Sequence, residues 1–283
     1  MNQRDTAGFE AWVIEIKEAL AKFEAETGEK AAPFGVNLIV HGTNPRVQAD
    51  LEICIKHKVP LIITSLGAVP QLVEAVHSYG GLVFHDVIKK RHAEKAAEAG
   101  VDGLILVAAG AGGHAGLTNP MSLITEVKAF FDKTILLSGC ISTGNDIASA
   151  LQMGADLAYM GTRFINVDES LADEEYKQMI IDSNASDIVY TAAVSGVNAN
   201  FLRPSLESMG ITEDMWAQTK KIDFGEELDA AQAEAKAWKT IWSAGQGVTS
   251  IDDSVSTTTL IDRLKEQFVE ALLRQQEVLK KYL

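Results

Sequence analysis

His114 is the one ionisable side chain in the run Ala108-Ala109-Gly110-Ala111-Gly112-Gly113-His114-Ala115-Gly116. An apolar segment leads straight into this run, whose small residues leave nothing bulky to fill space. Such a loop is shaped for a flat ring system to lie against it, with His114 aimed at a substrate above. Neutral imidazole is available near physiological pH, which suits a general base. The competing reading is a histidine satisfied by a backbone carbonyl. That reading is stronger for His57 and His77, which fall on helical segments. His85, followed by Asp86 on an apolar run, stands between the two: a structural pair, or a pair at the mouth of a site.

A second kind of chemistry is written in Ser138-Gly139 and Gly161-Thr162, which sit at or near the ends of late apolar runs. Glycine lets backbone N–H groups approach phosphate oxygens, and the hydroxyls of Ser138 and Thr162 add donors. The helix expected after Gly144, starting near Asn145, offers a further positive dipole end. Ordinary tight turns would use similar residues, but both loops qualify together. Asn37 lies mid-strand in Phe34-Gly35-Val36-Asn37-Leu38. An amide there is costly unless paired; a cofactor ring edge would pair it, and so would a neighbour within the strand layers. Ser243-Ala244-Gly245-Gln246-Gly247 is another small-residue loop with one long polar side chain, Gln246, and is weak by itself. Cys54 and Cys140 are too few for a disulfide framework or a thiolate metal site, so no metal centre is expected.

These residues need a scaffold. Short apolar runs, each closed by glycine or a small residue, occupy Phe34–Val40, Leu61–Leu66, Leu82–Val87, Gly103–Ala108, Ile135–Ser138 and Leu157–Phe164. They are apolar throughout rather than alternating, as strands buried on both faces of a parallel sheet are. Amphipathic stretches fall between them: Pro45–His57, Pro70–Tyr79, His92–Ala99 and Asp146–Met153. A strand–helix unit recurring at this spacing means a (β/α)8 barrel or an open doubly wound sheet. An early G-x-G-x-x-G would favour the latter, and none is present. The late glycine clusters favour the barrel, whose phosphate sites follow strands seven and eight. Ahead of the first run, Phe9–Phe23 reads as a helix with Trp12, Ile16, Leu20 and Phe23 along one face at helical spacing. A helix with no strand before it implies that the first strand, first helix and second strand are absent. The fold expected is therefore an α/β, N-terminally incomplete (β/α)8 TIM barrel with a helical C-terminal extension. Its core is placed at residues 1–166 and 230–283. A helical and loop-rich insertion, placed at 167–229 and packed on the barrel mouth, begins a stretch that carries Trp216, Trp238 and Trp242. Within it, Ile188-Val189-Tyr190-Thr191 reads as a strand outside the barrel, and Leu260–Leu283 as a final amphipathic helix.

The formal net charge of −14 argues against a nucleic-acid partner, since polyanion binding needs a concentrated basic patch. Lys89-Lys90-Arg91-His92 is one short solvated cluster. No apolar run is long enough to cross a bilayer, and the charged start is unlike a signal peptide. Reduced thiols and this start point to a cytoplasmic protein without a membrane partner. A homo-oligomer is allowed.

The chain resembles the nitronate monooxygenase family, also called 2-nitropropane dioxygenase-like. The resemblance rests on Phe34-Gly35-Val36-Asn37-Leu38, Gly112-Gly113-His114-Ala115-Gly116, Ser138-Gly139-Cys140-Ile141, Gly154-Ala155-Asp156, Met160-Gly161-Thr162-Arg163-Phe164 and Ala244-Gly245-Gln246-Gly247. It implies an FMN-dependent oxidoreductase that uses O2 to convert a small substrate, an alkyl nitronate or nitroalkane, to a carbonyl compound and nitrite. By the same resemblance, Asn37, Gly112, Gly113, Ser138, Gly139, Gly161 and Thr162 bind FMN, Gln246 lies near the flavin, and His114 is the catalytic base. Two departures stand out: the family's opening strand with its Pro-Met pair is not in this sequence, and Ala108-Ala109 stands where polar residues are common. The same site also accommodates a flavin-dependent enoyl-acyl-carrier-protein reductase or an NAD(P)H:quinone reductase. A non-catalytic truncated barrel that binds a phosphate ligand is the alternative of another class.

Overall fold

A computed structural model describes residue 3 and residues 5–194, 196–217 and 241–283. Part of the expected 167–229 insertion, the start of the 230–283 segment and Trp238 lie outside the described residues. The chain divides into two compact units. Among the described residues, one holds 3–87 and 91–104, the other 88–90, 105–217 and 241–283.

In the first unit, β1 (Gly35–Ile39), β2 (Leu61–Ser65) and β3 (Leu82–Val87) pair in parallel. Asn37 stands opposite Ile63, Ile39 opposite Ser65, and Thr64 opposite His85. Leu38, Ile62, Val83 and Val87 are fully buried, which is why these runs read as apolar rather than alternating. The helices α2 (Val47–Lys56) and α3 (Pro70–His77) return the chain between strands, and α4 (Lys90–Glu98) follows β3. α1 (Thr6–Thr27) is capped by Asp5, whose carboxylate accepts from Gly8 N at 2.7 Å, and ends at Gly28 in the left-handed region. Its buried side carries Phe9 and Val13. Trp12, Ile16 and Phe23, three of the four apolar residues read along one face, are 37–42% exposed. On its polar flank, Glu10 accepts from Lys56 and pairs with His57, both at 2.7 Å, and Lys17 donates to His57 O.

In the second unit, β6 (Thr134–Ser138) and β7 (Leu157–Tyr159) pair in parallel. β4 (Gly103–Val107), buried at every position, carries the chain in from the first unit, and Ala108 N donates to Ser138 O at 3.0 Å. α5 (Pro120–Lys128) and α6 (Gly144–Met153) flank β6. A second sheet is antiparallel: β9 (Ala199–Leu202) pairs with β5 (Gly113–His114) on one side and β8 (Ile188–Thr191) on the other. The expected run Leu157–Phe164 is strand only to Tyr159; Thr162–Ile165 turns into a short 3-10 helix. Phe164 packs instead with Met160, Val167, Leu260 and Leu264, which explains its apolar character without a strand. Beyond α7 (Glu174–Asp182) and α8 (Arg203–Ser208), the long α9 (Thr257–Leu279) packs on α6. Gly144 permits this approach, because a Cβ there would lie 2.2 Å from Leu264 O and 2.4 Å from Phe268 N. Among the described residues, no helix is long and apolar enough to cross a membrane.

Candidate active site

Four segments of the second unit enclose one cavity of about 280 Å³: Gly110–Gly113, Ser138–Ser142, the stretch around Gly161-Thr162, and the 243–247 loop. Of the residues singled out in the sequence, Gly112, Gly113, Ser138, Gly139, Gly161 and Thr162 line it. Gln246 is fastened to its wall: its backbone N donates to Gly110 O at 2.8 Å, and its Oε1 lies 3.8 Å from Cys140 Sγ. No charged side chain is among the lining residues.

The cavity exists because the loops meet where side chains cannot. A Cβ on Gly245 would fall 2.5 Å from Gly110 O, and one on Gly112 would fall 2.8 Å from Gly245 N. Gly139, at φ +121°, sits over the carbonyls of Ala108 and Ala109. The hydroxyl of Thr162 accepts from Gly245 N at 3.0 Å. With a lone pair so engaged, its own proton is left to donate toward the cavity. Tyr176 stacks on Trp242 with centroids 5.0 Å apart and donates its hydroxyl to Ser243 O, fixing the loop's entry.

One expectation about this cavity needs correction. The N-terminus of α6 is already capped by protein: Thr143 and Asp146 form a capping box, and Gly144 N donates to Gln267 Oε1 at 2.9 Å. A helix end whose N–H groups are so engaged has little left for an anion. Arg163, beside Thr162, is also committed: it donates to Asp253 Oδ1 at 2.8 Å and to the carbonyls of Asp253 and Asn166.

His114 follows directly on the lining residue Gly113 and is itself not among the lining residues. Burial pushes its pKa down to about 4, so the imidazole is neutral at physiological pH. Its strand is clamped by β9, with His114 opposite Ala199 and Gly113 opposite Asn200. Asn200 Nδ2 donates to Ala111 O at 2.6 Å, and Tyr190 donates to Ala115 O at 3.1 Å. Neither residue is legible as a site element in the sequence. Asn200 lies in Asn198-Ala199-Asn200-Phe201, where an amide set between apolar residues was the available signal. Cys140, which lines the cavity at φ +55°, was visible only as an exception to the glycine-rich turn.

The first unit holds a separate polar row at the ends of its strands. Asn37 Nδ2 donates to Ser65 Oγ at 2.9 Å, and Ser65 donates to Asp86 Oδ2 at 2.7 Å. Desolvation raises the Asp86 pKa to about 6. His85 is not paired with Asp86; its Nδ1 lies 2.7 Å from Thr64 Oγ1, because successive strand residues point to opposite faces. Burial lowers the His85 pKa to about 4. His57 and His77 are held by Glu10 and Asp102, the structural roles expected of helical histidines.

The family model for nitronate monooxygenase matches residues 2–267. The chain belongs to the nitronate monooxygenase family. Among relatives, it is 27% identical to the (3aS,4S,5R,7aS)-5-hydroxy-7a-methyl-1-oxo-octahydro-1H-indene-4-carboxyl-CoA dehydrogenase of Rhodococcus jostii, over 68% of this chain and 53% of that one. Among solved structures, FabK from Thermotoga maritima superposes with a TM-score of 0.72 at 25% identity, covering 96% of this chain and 85% of FabK. The nitroalkane oxidase of Streptomyces ansochromogenes gives a TM-score of 0.74 at 22% identity, covering 93% and 87%. Of several curated relatives that it matches, the chain spans 53–63% of the length. These likenesses, with the parallel ladders, bear out the (β/α) class of fold predicted for this nitronate monooxygenase family member.

Proposed function

We propose that the chain is an FMN-dependent oxidoreductase that oxidises alkyl nitronates with O2. The observation that carries this reading is the cradle itself: a Cβ added at Gly110, Gly112 or Gly245 would fall within 3.0 Å of a neighbouring atom, and hydroxyls stand at Ser138 and Thr162. A cradle of neutral donors built on glycine fits a phosphate ester, since backbone N–H groups at glycine can approach its oxygens closely. Ser138, Gly139, Gly161 and Thr162 would hold the phosphate, Gly112 and Gly113 would lie along the ring system, and Gln246 would meet its edge. Bound FMN supplies the electron acceptor, with O2 as terminal oxidant and a carbonyl compound and nitrite as products.

His114 then orients substrate at the edge of the glycine loop. Its pKa of about 4 makes it a weak base, poorly matched to removing a proton from carbon. A nitronate, already ionised, needs no such removal, so the anion rather than the neutral nitroalkane is the better substrate. The neutral imidazole offers the nitronate one N–H donor or one acceptor, according to its tautomer.

A second reading has a specific likeness behind it, the resemblance to FabK and to the Rhodococcus indene-4-carboxyl-CoA dehydrogenase. In it the same cavity holds FMN, and NAD(P)H replaces the nitronate as electron donor. An absorbance spectrum of the purified chain, followed by anaerobic mixing with a nitronate or with NADH or NADPH, separates the two. Bleaching by nitronate alone supports the first reading, and bleaching by NAD(P)H alone supports the second. A chain that neither carries nor takes up FMN overturns both.

A further inference from the structure

The hydrogen bond from Asn200 to Ala111 is more than a clamp on the glycine loop. A peptide group is planar and trans, so its C=O and its N–H leave the plane's axis in opposite directions. Because Ala111 O accepts from Asn200 Nδ2 at 2.6 Å, the N–H of Gly112 in the same peptide points away from Asn200. Gly112 lines the cavity, and a Cβ added to it would lie 2.8 Å from Gly245 N and 3.1 Å from Thr162 Oγ1. The preceding peptide is fixed in the same manner, since Gly110 O accepts from Gln246 N at 2.8 Å. Asn200 itself is buried and held by the ladder opposite Gly113 and within β8–β9.

We propose that Asn200 is a positioning residue that locks the Ala111–Gly112 peptide so that the Gly112 N–H is presented to the flavin ring as a hydrogen-bond donor. This rests on the reading of the cavity as an FMN site. The bond is charge-sensitive in a useful way. A donor held against the ring stabilises the electron-rich reduced flavin more than the oxidised one, so aligning Gly112 raises the reduction potential as well as affinity. Glutamine at 200 would carry the same amide on a longer stem. Aspartate would place an acceptor against the Ala111 carbonyl and drive the peptide to turn over.

The experiment is a titration of the apoprotein with FMN, read at three levels. In the native chain, the Gly112 amide proton should move downfield on FMN binding by NMR; an amide that stays in place overturns the proposal whatever the variants do. In Asn200→Ala, the FMN dissociation constant should rise about tenfold, the size of one lost hydrogen bond. The midpoint potential of the bound flavin should fall. Asn200→Asp should be weaker still, and both variants should keep the native circular dichroism spectrum and binding cooperativity in urea melts. Native affinity and potential in a folded Asn200→Ala overturn the role of Asn200 while leaving the flavin reading in place. A native chain that binds no FMN overturns both, so the two failures are distinguishable.

Discussion

Gly245→Ala isolates how much of the site depends on backbone meeting backbone. Gly245 has φ −92° and ψ 168°, a conformation alanine adopts without strain, so any penalty must come from contact. The new Cβ would lie 2.5 Å from Gly110 O, 2.8 Å from Gly112 N and 3.2 Å from Ala111 C. All three are main-chain atoms, which cannot swing aside as a flexible side chain would. Relief requires the two loops to part by roughly 0.7 Å to reach ordinary contact. That displacement stretches the bonds Gln246 N to Gly110 O, now 2.8 Å, and Gly245 N to Thr162 Oγ1, now 3.0 Å, toward the limit of bonding. Overpacking costs about 1–3 kcal/mol, and each weakened hydrogen bond adds about 1 kcal/mol. Against this, alanine gains about 0.4–1 kcal/mol by restricting the unfolded chain. The net is a loss of about 2–4 kcal/mol, or roughly 5–10 °C in Tm for a chain of this size. Thermal denaturation with and without FMN reads it directly. Gly161→Ala is the control, because nothing lies within 4 Å of its added Cβ; its Tm should match the parent's while its FMN affinity falls. A Gly245→Ala protein that melts within a degree of the parent and binds FMN equally would refute the account of the cradle.

Thr162→Val keeps the shape but removes the hydroxyl that accepts from Gly245 N; FMN affinity should drop about tenfold or more in equilibrium dialysis, since a buried donor is orphaned as well. With nitronate as substrate, kcat/KM should stay flat from about pH 8 down to about pH 5 and respond to His114 only near its lowered pKa of about 4, not near the usual histidine value of ~6.5. Stability should also fall on acidification below the unfolded histidine value: His85 and His114, each with a folded pKa of about 4, must take up protons on which the folded state places a penalty. Asp86, raised to about 6, acts in the opposite sense between about pH 4 and 6, so urea midpoints measured across this range should decline less steeply in the parent than in Asp86→Asn. Cys140 is exposed on the cavity wall and Cys54 is buried with its thiol pushed up to about 12; alkylation followed by mass spectrometry should label only Cys140, slowly, and FMN should protect it.

Much of the scaffold was legible because its signals are local. Leu82–Val87 reads identically in sequence and structure, and Leu61–Leu66 and Gly103–Ala108 overrun their strands by one residue. An apolar run between a helix and a glycine turn has few other uses in a parallel layer. The cavity loops were legible for a related reason: glycine, serine and threonine at strand ends are chosen by what the backbone must do there. What was illegible depends on distant partners. Nothing near Gly113-His114 announces that its strand partner is Ala199–Leu202. Nor does Asn145 reveal that its helix end is answered by Gln267 and that its own side chain accepts from Arg274 at 2.6 Å. The spacing showed that four large apolar residues of α1 share one face, but not that Phe9 and Val13 are the ones buried.

The joining of Gly110 to Gln246 has a consequence for synthesis. The cavity wall closes only when the residues around 110, 138, 162 and 245 have all arrived, and the last of them is made long after the first. A ribosome-bound chain that has emerged only as far as β7 has its glycine turns but no wall to trap a ligand against. Pairings of such separation also form late in folding, because loop closure must precede any reward. On the FMN reading proposed above, cofactor capture would be a terminal event in the life of a nascent molecule, and yellow colour in a pulse-labelled sample would count finished chains rather than begun ones.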